Sequence, residues 1–121
     1  MNLPKLELAR RKIANHCDIK RHRIAALAFT PSGRVLAVET NRVGSGDISD
    51  FSWHAEEFLI RKLIRLKAKE RFGKIYVLVG RLGRRDGWTM AKPCDGCSKK
   101  LARYVDRVYY VDETGEIQID G

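Results

Sequence analysis

Two short pieces of this 121-residue chain carry side chains that suit one another chemically. They are Trp53-His54-Ala55-Glu56 and, about 40 residues further on, Pro93-Cys94-Asp95-Gly96-Cys97. An imidazole and two thiolates are donor types that zinc takes, and three protein donors leave one tetrahedral position for water. That is the arrangement of a catalytic site; a structural site is closed by protein. A carboxylate beside such donors, as at Glu56, suits proton transfer. Cys94 and Cys97 are three apart, so they share a face of a helical first turn or a tight turn. His54 and Glu56 are two apart, about 200° around a regular helix. They cannot both address one metal from mid-helix, but at a helix start they can, because Cα–Cβ bonds tilt toward the N-terminus. The constellation predicts one helix starting near residue 53 and another near 94. Two helix N-termini meeting there favour negative charge.

The elements around these pieces can be read from hydrophobic periodicity. Residues 3–17 form a helix, with Pro4 in its first turn and Leu3, Leu6, Ala9 or Arg10, Ile13 and Cys17 near a three-four spacing. His22 to Thr30 is a strand whose Ile24-Ala25-Ala26-Leu27-Ala28-Phe29 core is apolar on both faces, which predicts a central position. A turn at Pro31-Ser32-Gly33 joins it to a second strand, 34–40, in a hairpin. A loop spans 41–51. A helix from Trp53 to Lys69 carries the stripe Ala55, Leu59, Leu63 and Leu66, widened by Phe58, Ile60 and Ile64, and ends at Gly73. Ile75–Val79 is the third strand, and 80–87 a polar stretch. Cys94–Tyr104 is a helix with Cys97, Leu101 and Tyr104 on one side. Arg107–Val111 is the fourth strand, and Ile117–Ile119 a short antiparallel edge strand. The order α-β-β-α-β-α-β-(β) predicts one α/β domain over 1–121, a mixed sheet with helices against it.

Written as one pattern, H-x-E … P-C-x-x-C, the two pieces match the signature of zinc-dependent nucleobase deaminases. The assignment of roles begins from that match. With the element order, the chain resembles the cytidine deaminase-like superfamily from about residue 5 to about residue 119. The resemblance implies a three-layer α/β fold, a mixed central sheet of a β-hairpin plus parallel strands, and Zn2+ as cofactor. It implies zinc ligation by His54, Cys94 and Cys97, and a general acid/base role for Glu56. It also implies that the backbone N–H groups at Ala55 and Cys94 contact substrate. Asn41, at the end of the second strand, has two readings: a contact to sugar or base, or a residue that only opens the loop. The implied reaction is hydrolytic deamination at C4 of cytosine or C6 of adenine, with zinc activating a water.

Within the superfamily, His in His54-Ala55-Glu56 is similar to deoxycytidylate deaminases, tRNA adenosine deaminases and the APOBEC group. The stretches Lys92-Pro93-Cys94, Arg107-Val108-Tyr109-Tyr110 and Thr114-Gly115-Glu116-Ile117 are also similar to small deaminases encoded by bacteriophages. The expected function is conversion of a cytosine base to uracil on a small-molecule nucleoside or nucleotide, dCMP above all. Arg81, Arg84 and Arg85 offer bidentate donors for a phosphate; singly, each also reads as part of a solvated loop.

A polynucleotide, either single-stranded DNA or RNA including tRNA, is the alternative substrate. A net charge of +9 favours it, since basic surfaces attract anionic partners. So does Lys20-Arg21-His22-Arg23. Phe51, Trp53 and Trp88 offer faces on which bases stack, although their ordinary reading is pocket wall or core. Against it, the extra C-terminal helix and strand usual in polynucleotide-type relatives are lacking. A third reading is a zinc module without catalysis, its fourth ligand supplied by His16 or His22. A spare carboxylate at Glu56 has no purpose there. Among the three cysteines, Cys17 is left over as a structural thiol, and the odd count argues against a disulfide framework. No signal peptide or membrane span is read, so a cytoplasmic location is expected. Homo-oligomers are frequent among the relatives.

Overall fold

The computed structural model describes residues 3–16, 24–40, 42–43, 52–53, 55–82, 87–93 and 95–120. The first helix, α1, spans Leu3–His16, and the strands β1 (Ile24–Phe29) and β2 (Val35–Thr40) form the expected antiparallel hairpin. Two short strands, β3 (Arg42–Val43) and β4 (Ser52–Trp53), pair with each other antiparallel. Helix α2 (Ala55–Arg65) and the short α3 (Ala68–Phe72) lead to β5 (Tyr76–Leu82) and β6 (Trp88–Thr89). Helix α4 (Asp95–Tyr104), β7 (Arg107–Val111) and β8 (Ile117–Asp120) follow.

One six-stranded mixed sheet runs β2-β1-β5-β7-β8, with β6 paired to β5 off that path. Only β5 and β7 are parallel; the other ladders of this sheet are antiparallel. The parallel pair is joined through α4, as a crossover requires. β1 lies between β2 and β5, which explains why its six residues are apolar throughout. Its alternation divides them between two cores. Ala25, Leu27 and Phe29 pack with Ala9 and Ile13 of α1, Leu78, Tyr109 and Val111. Ala26 and Ala28 pack with Ala55, Leu59 and Leu63 of α2, Val77, Val79 and Leu101 of α4. The result is three layers, with α1 on one face of the sheet and α2 and α4 on the other.

β3 lies within the stretch 41–51 read as a loop, β6 is an addition to the expected strands, and three boundaries also differ from the sequence reading. The predicted 53–69 helix is two helices, because Lys67 takes left-handed backbone angles, φ 50° and ψ 43°. Leu66, just before the break, is exposed, while Ala68 beyond it is buried and Phe72 packs against the core. Trp53, expected at the helix start, is in the β3–β4 ladder opposite Arg42, and the helix begins at Ala55. The third strand continues past Val79 to Leu82, because Gly80 and Arg81 pair with Ala25 and Ile24, and Arg81 and Leu82 with Thr89 and Trp88.

Gly80 is the point of closest approach on the α1 face. A Cβ there would lie 2.7 Å from Ile13 Cγ2 and 2.9 Å from Trp88 Cζ3. Gly80→Ala therefore has to displace a fully buried isoleucine and an indole. It is expected to cost about 1–3 kcal/mol, read as a lower denaturant midpoint at unchanged slope.

The turn between β7 and β8 is organised by Asp112. Its Oδ1 accepts hydrogen bonds from Thr114 Oγ1 at 2.6 Å, Thr114 N at 2.9 Å and Glu116 N at 3.0 Å; its Oδ2 accepts one from Gln118 Nε2 at 3.0 Å. These bonds, that from the Thr114 hydroxyl foremost, hold the carboxyl below its ordinary pKa against the opposing effect of burial. A carboxylate depressed in the native state contributes stability above its unfolded pKa and loses that contribution as pH falls through the native value. Wild type and Asp112→Asn should thus differ fully above the ordinary carboxylate range, about pH 4, and converge as pH falls below it, measured as denaturant midpoints from neutral to acid pH.

Candidate active site

The two halves of the motif lead into the first turns of α2 and α4. Glu56 is on the buried side of α2, 4% exposed, with Ala55, Leu59 and Leu63. A carboxylate on the apolar stripe of a helix is an expensive choice for a purely structural residue. In the first turn it has the favourable end of the helix dipole. Cys97 is in the first turn of α4 and is 2% exposed. The same helix buries Leu101 against the sheet. A 3.1 Å ion pair from Lys100 Nζ to Glu57 Oε1 links α4 to the first turn of α2. Crossover geometry puts the start of α4 beyond the C-terminal end of β5, the usual ligand-binding end of such a sheet.

The segment between β5 and α4 is held by backbone bonds. Thr89 and Trp88 pair with Arg81 and Leu82, and Ala91 N donates to Val111 O at 3.1 Å. Ala91 and Pro93 are buried while Lys92 between them is exposed. The chain is thereby carried across the end of the sheet and delivered to α4.

A cavity of about 180 Å3 opens at this end. Its lining includes Glu56, Ile24, Val79, Arg81 and the run Met90-Ala91-Lys92-Pro93. The register accounts for the set. Val77, Val79 and Arg81 alternate onto the α2 face of β5, and Ile24 stands directly opposite Arg81. Glu56 thus shares one cavity with the residue that immediately precedes Cys94 in the chain.

The remaining sequence-predicted residues are distributed as follows. Asn41, His54, Arg84, Arg85 and Cys94, with Cys17, His22 and Phe51, lie outside the described residues. The backbone is described on either side of Asn41: Thr40 pairs with Ala25, and Arg42 with Trp53. Ala55, fully buried, adjoins Glu56 at the start of α2. Trp88 is used elsewhere. Its partner Leu82 points to the α1 face, and the indole packs with the α1-side core over Gly80 and Gly115. It is not among the described residues lining the Glu56 cavity. Lys92, Ile24 and Met90 were not picked out from sequence. Strict alternation from Val77 is the signal that puts Arg81 on the cavity face; Ile24 follows only once β1 is paired to β5.

Among the described residues no group of three His, Cys, Asp or Glu side chains is placed to hold a metal ion. The donor set read from the sequence has only Cys97 within them. What the described residues offer is a buried thiol and a buried carboxylate on the first turns of two neighbouring helices. This suits zinc chemistry, since a thiolate is a zinc ligand and helix N-termini favour its ionised form.

Mixed sheet order, the α4 crossover and helices on both faces define a cytidine deaminase-like fold. Among solved structures, the chain is similar to the crystal structure of cytidine deaminase from Mycobacterium leprae, with a TM-score of 0.56 at 17% sequence identity. The match covers 93% of this chain and 87% of that one. At that identity the likeness is one of fold. No protein-family model matches the chain, and no curated protein matches it by sequence. No helix among the described residues is long and apolar enough to cross a membrane.

Proposed function

We propose that the protein is a zinc-dependent hydrolytic deaminase that converts a cytosine base to uracil on a free cytidine or deoxycytidine nucleotide such as dCMP. The observation that carries this reading is the position of Glu56. A nearly fully buried carboxylate lines the same cavity as Pro93, at the sheet end where the His54–Glu56 and Cys94–Cys97 pieces lead into helices. The cavity is smaller than the 300–1,000 Å3 usual for whole ligands, which suits a single base held inside with its sugar and phosphate at the mouth.

His54, Cys94 and Cys97 would hold the zinc, whose chemistry when bound is to make water a nucleophile near neutral pH. Glu56 carries the protons. It takes one from the attacking water and delivers one to the ring nitrogen N3. It then takes the remaining proton of the added hydroxyl, which becomes the C4 carbonyl, and delivers it to the exocyclic amine as the C4–N bond breaks. Water and cytosine are consumed; uracil and ammonia are released. Burial of Glu56, in a cavity it shares with Val79, Ala91 and Pro93, keeps bulk water from competing for the proton.

Ammonia release from dCMP, deoxycytidine, cytidine and a mixed-sequence oligonucleotide tests the proposal. Turnover of the nucleotide is expected. Turnover confined to the oligonucleotide would move the substrate to polynucleotides, and zinc-loaded protein inert on all four would remove the cytosine reading.

A further inference from the structure

Arg81 and Lys92 are the cations of the Glu56 cavity, and we infer that together they form the phosphate-recognition edge of the substrate site. This inference rests on the deaminase reading and assigns residues to its preference for a phosphomonoester over a bare nucleoside. Among the described lining residues the charged ones are Glu56, Arg81 and Lys92; the others are apolar. The acid is buried and the two cations are exposed. Charge is therefore sorted by depth: a proton carrier within, two positive groups at the rim.

The placement of each cation has a backbone cause. On β5 the inward alternation Val77, Val79, Arg81 passes from buried to exposed at Arg81, the position opposite the first residue of β1. The strand emerges there from under the helical layer. Lys92 is anchored between buried Ala91 and buried Pro93, and the Ala91 N–H bond to Val111 O holds that segment. Neither cation forms an ion pair with another described residue. An arginine fork takes two phosphate oxygens, and a lysine acts as a point charge beside it. A cavity large enough for a base alone leaves the phosphate at this rim.

The test uses zinc-loaded full-length protein and compares kcat/KM for dCMP with that for deoxycytidine in wild type, Arg81→Gln, Lys92→Gln and the double variant. The ratio of the two should fall about tenfold for each cation removed, mainly through the KM of dCMP, and Arg81→Lys should recover part of it. Equal losses on both substrates would overturn the assignment, since a structural role has no reason to sense the phosphate. Losses on an oligonucleotide with none on dCMP would overturn the choice of a free phosphomonoester.

Equilibrium binding to Glu56→Gln protein separates this inference from the reading on which it rests. If dCMP binds more tightly than deoxycytidine, and the Arg81 and Lys92 changes erase that difference, the rim stands even where no base is turned over. If both ligands bind alike and the changes are silent, the rim falls while any measured deamination stands.

Discussion

Glu56→Gln is expected to lower the rate of ammonia release by between about 10²- and 10⁴-fold, the usual weight of a general acid–base group. The amide keeps the size and much of the hydrogen-bonding shape of the carboxylate, so little of the loss should come from folding. It cannot accept and return a proton, which is what water attack and amine departure both demand. Zinc content and the unfolding midpoint should stay near wild type. KM should change far less than kcat, because the lost interaction is one made in the transition state. A variant retaining most of its rate would remove Glu56 from the chemistry and turn the buried carboxylate into a structural feature of α2.

Cys97→Ala is expected to lose both the metal and the activity. A thiolate ligand contributes to a site that binds the native and not the unfolded chain, so metal stabilises by mass action, about 4 kcal/mol at a thousandfold excess over Kd. A chelator should lower the unfolding midpoint of wild type by a comparable amount and leave Cys97→Ala almost unmoved. That comparison matters because Cys97 is buried in the first turn of α4, and truncating it also removes packing. Cavity creation alone would lower the midpoint and leave the response to chelator intact. Zinc retained at full stoichiometry by Cys97→Ala would exclude this residue as a ligand.

The two expectations depend on different links. Glu56 tests the chemistry and Cys97 tests the metal, yet both depend on α2 and α4 starting at the same end of the sheet. That juxtaposition follows from connectivity. A parallel β5–β7 pair needs a crossover, α4 supplies it, and its N-terminus must then lie beyond the C-terminal end of β5. The Lys100–Glu57 ion pair brings the beginning of α2 to the same neighbourhood.

Much of the architecture was legible in residue pattern. The uninterrupted apolar run Ile24–Phe29 indicated a central strand, and β1 is paired on both edges. The three-four spacing through Ile13 indicated the buried side of α1 but left Ala9 and Arg10 as alternatives, which the structure resolves to Ala9; that of Leu59 and Leu63 indicated the buried side of α2. Turn chemistry at Pro31-Ser32-Gly33 marked the β1–β2 hairpin. Each of these is a local signal, set by steric preference or by periodicity within one element. The break at Lys67 carried no such signal, because lysine is an ordinary helix former; its left-handed conformation accompanies the burial of Ala68 and the packing of Phe72 against the core.

What the chain determined by itself is the main elements and their order, without β3, β4, β6 or the division of α2 from α3, and a pair of motifs whose residue types suit zinc and proton transfer. What tertiary structure alone decided is which side chains share a space. Trp88 read from sequence as either a base-stacking face or core; pairing with Leu82 turns it to the α1 face, where it packs over Gly80. Arg81 and Lys92 lie eleven positions apart in sequence, in a polar strand end and an extended segment, yet line one cavity with Glu56. The reason is that a strand has two faces and period two. Which face meets a given neighbour depends on register, and register is set by packing across the sheet, between residues far apart in the chain.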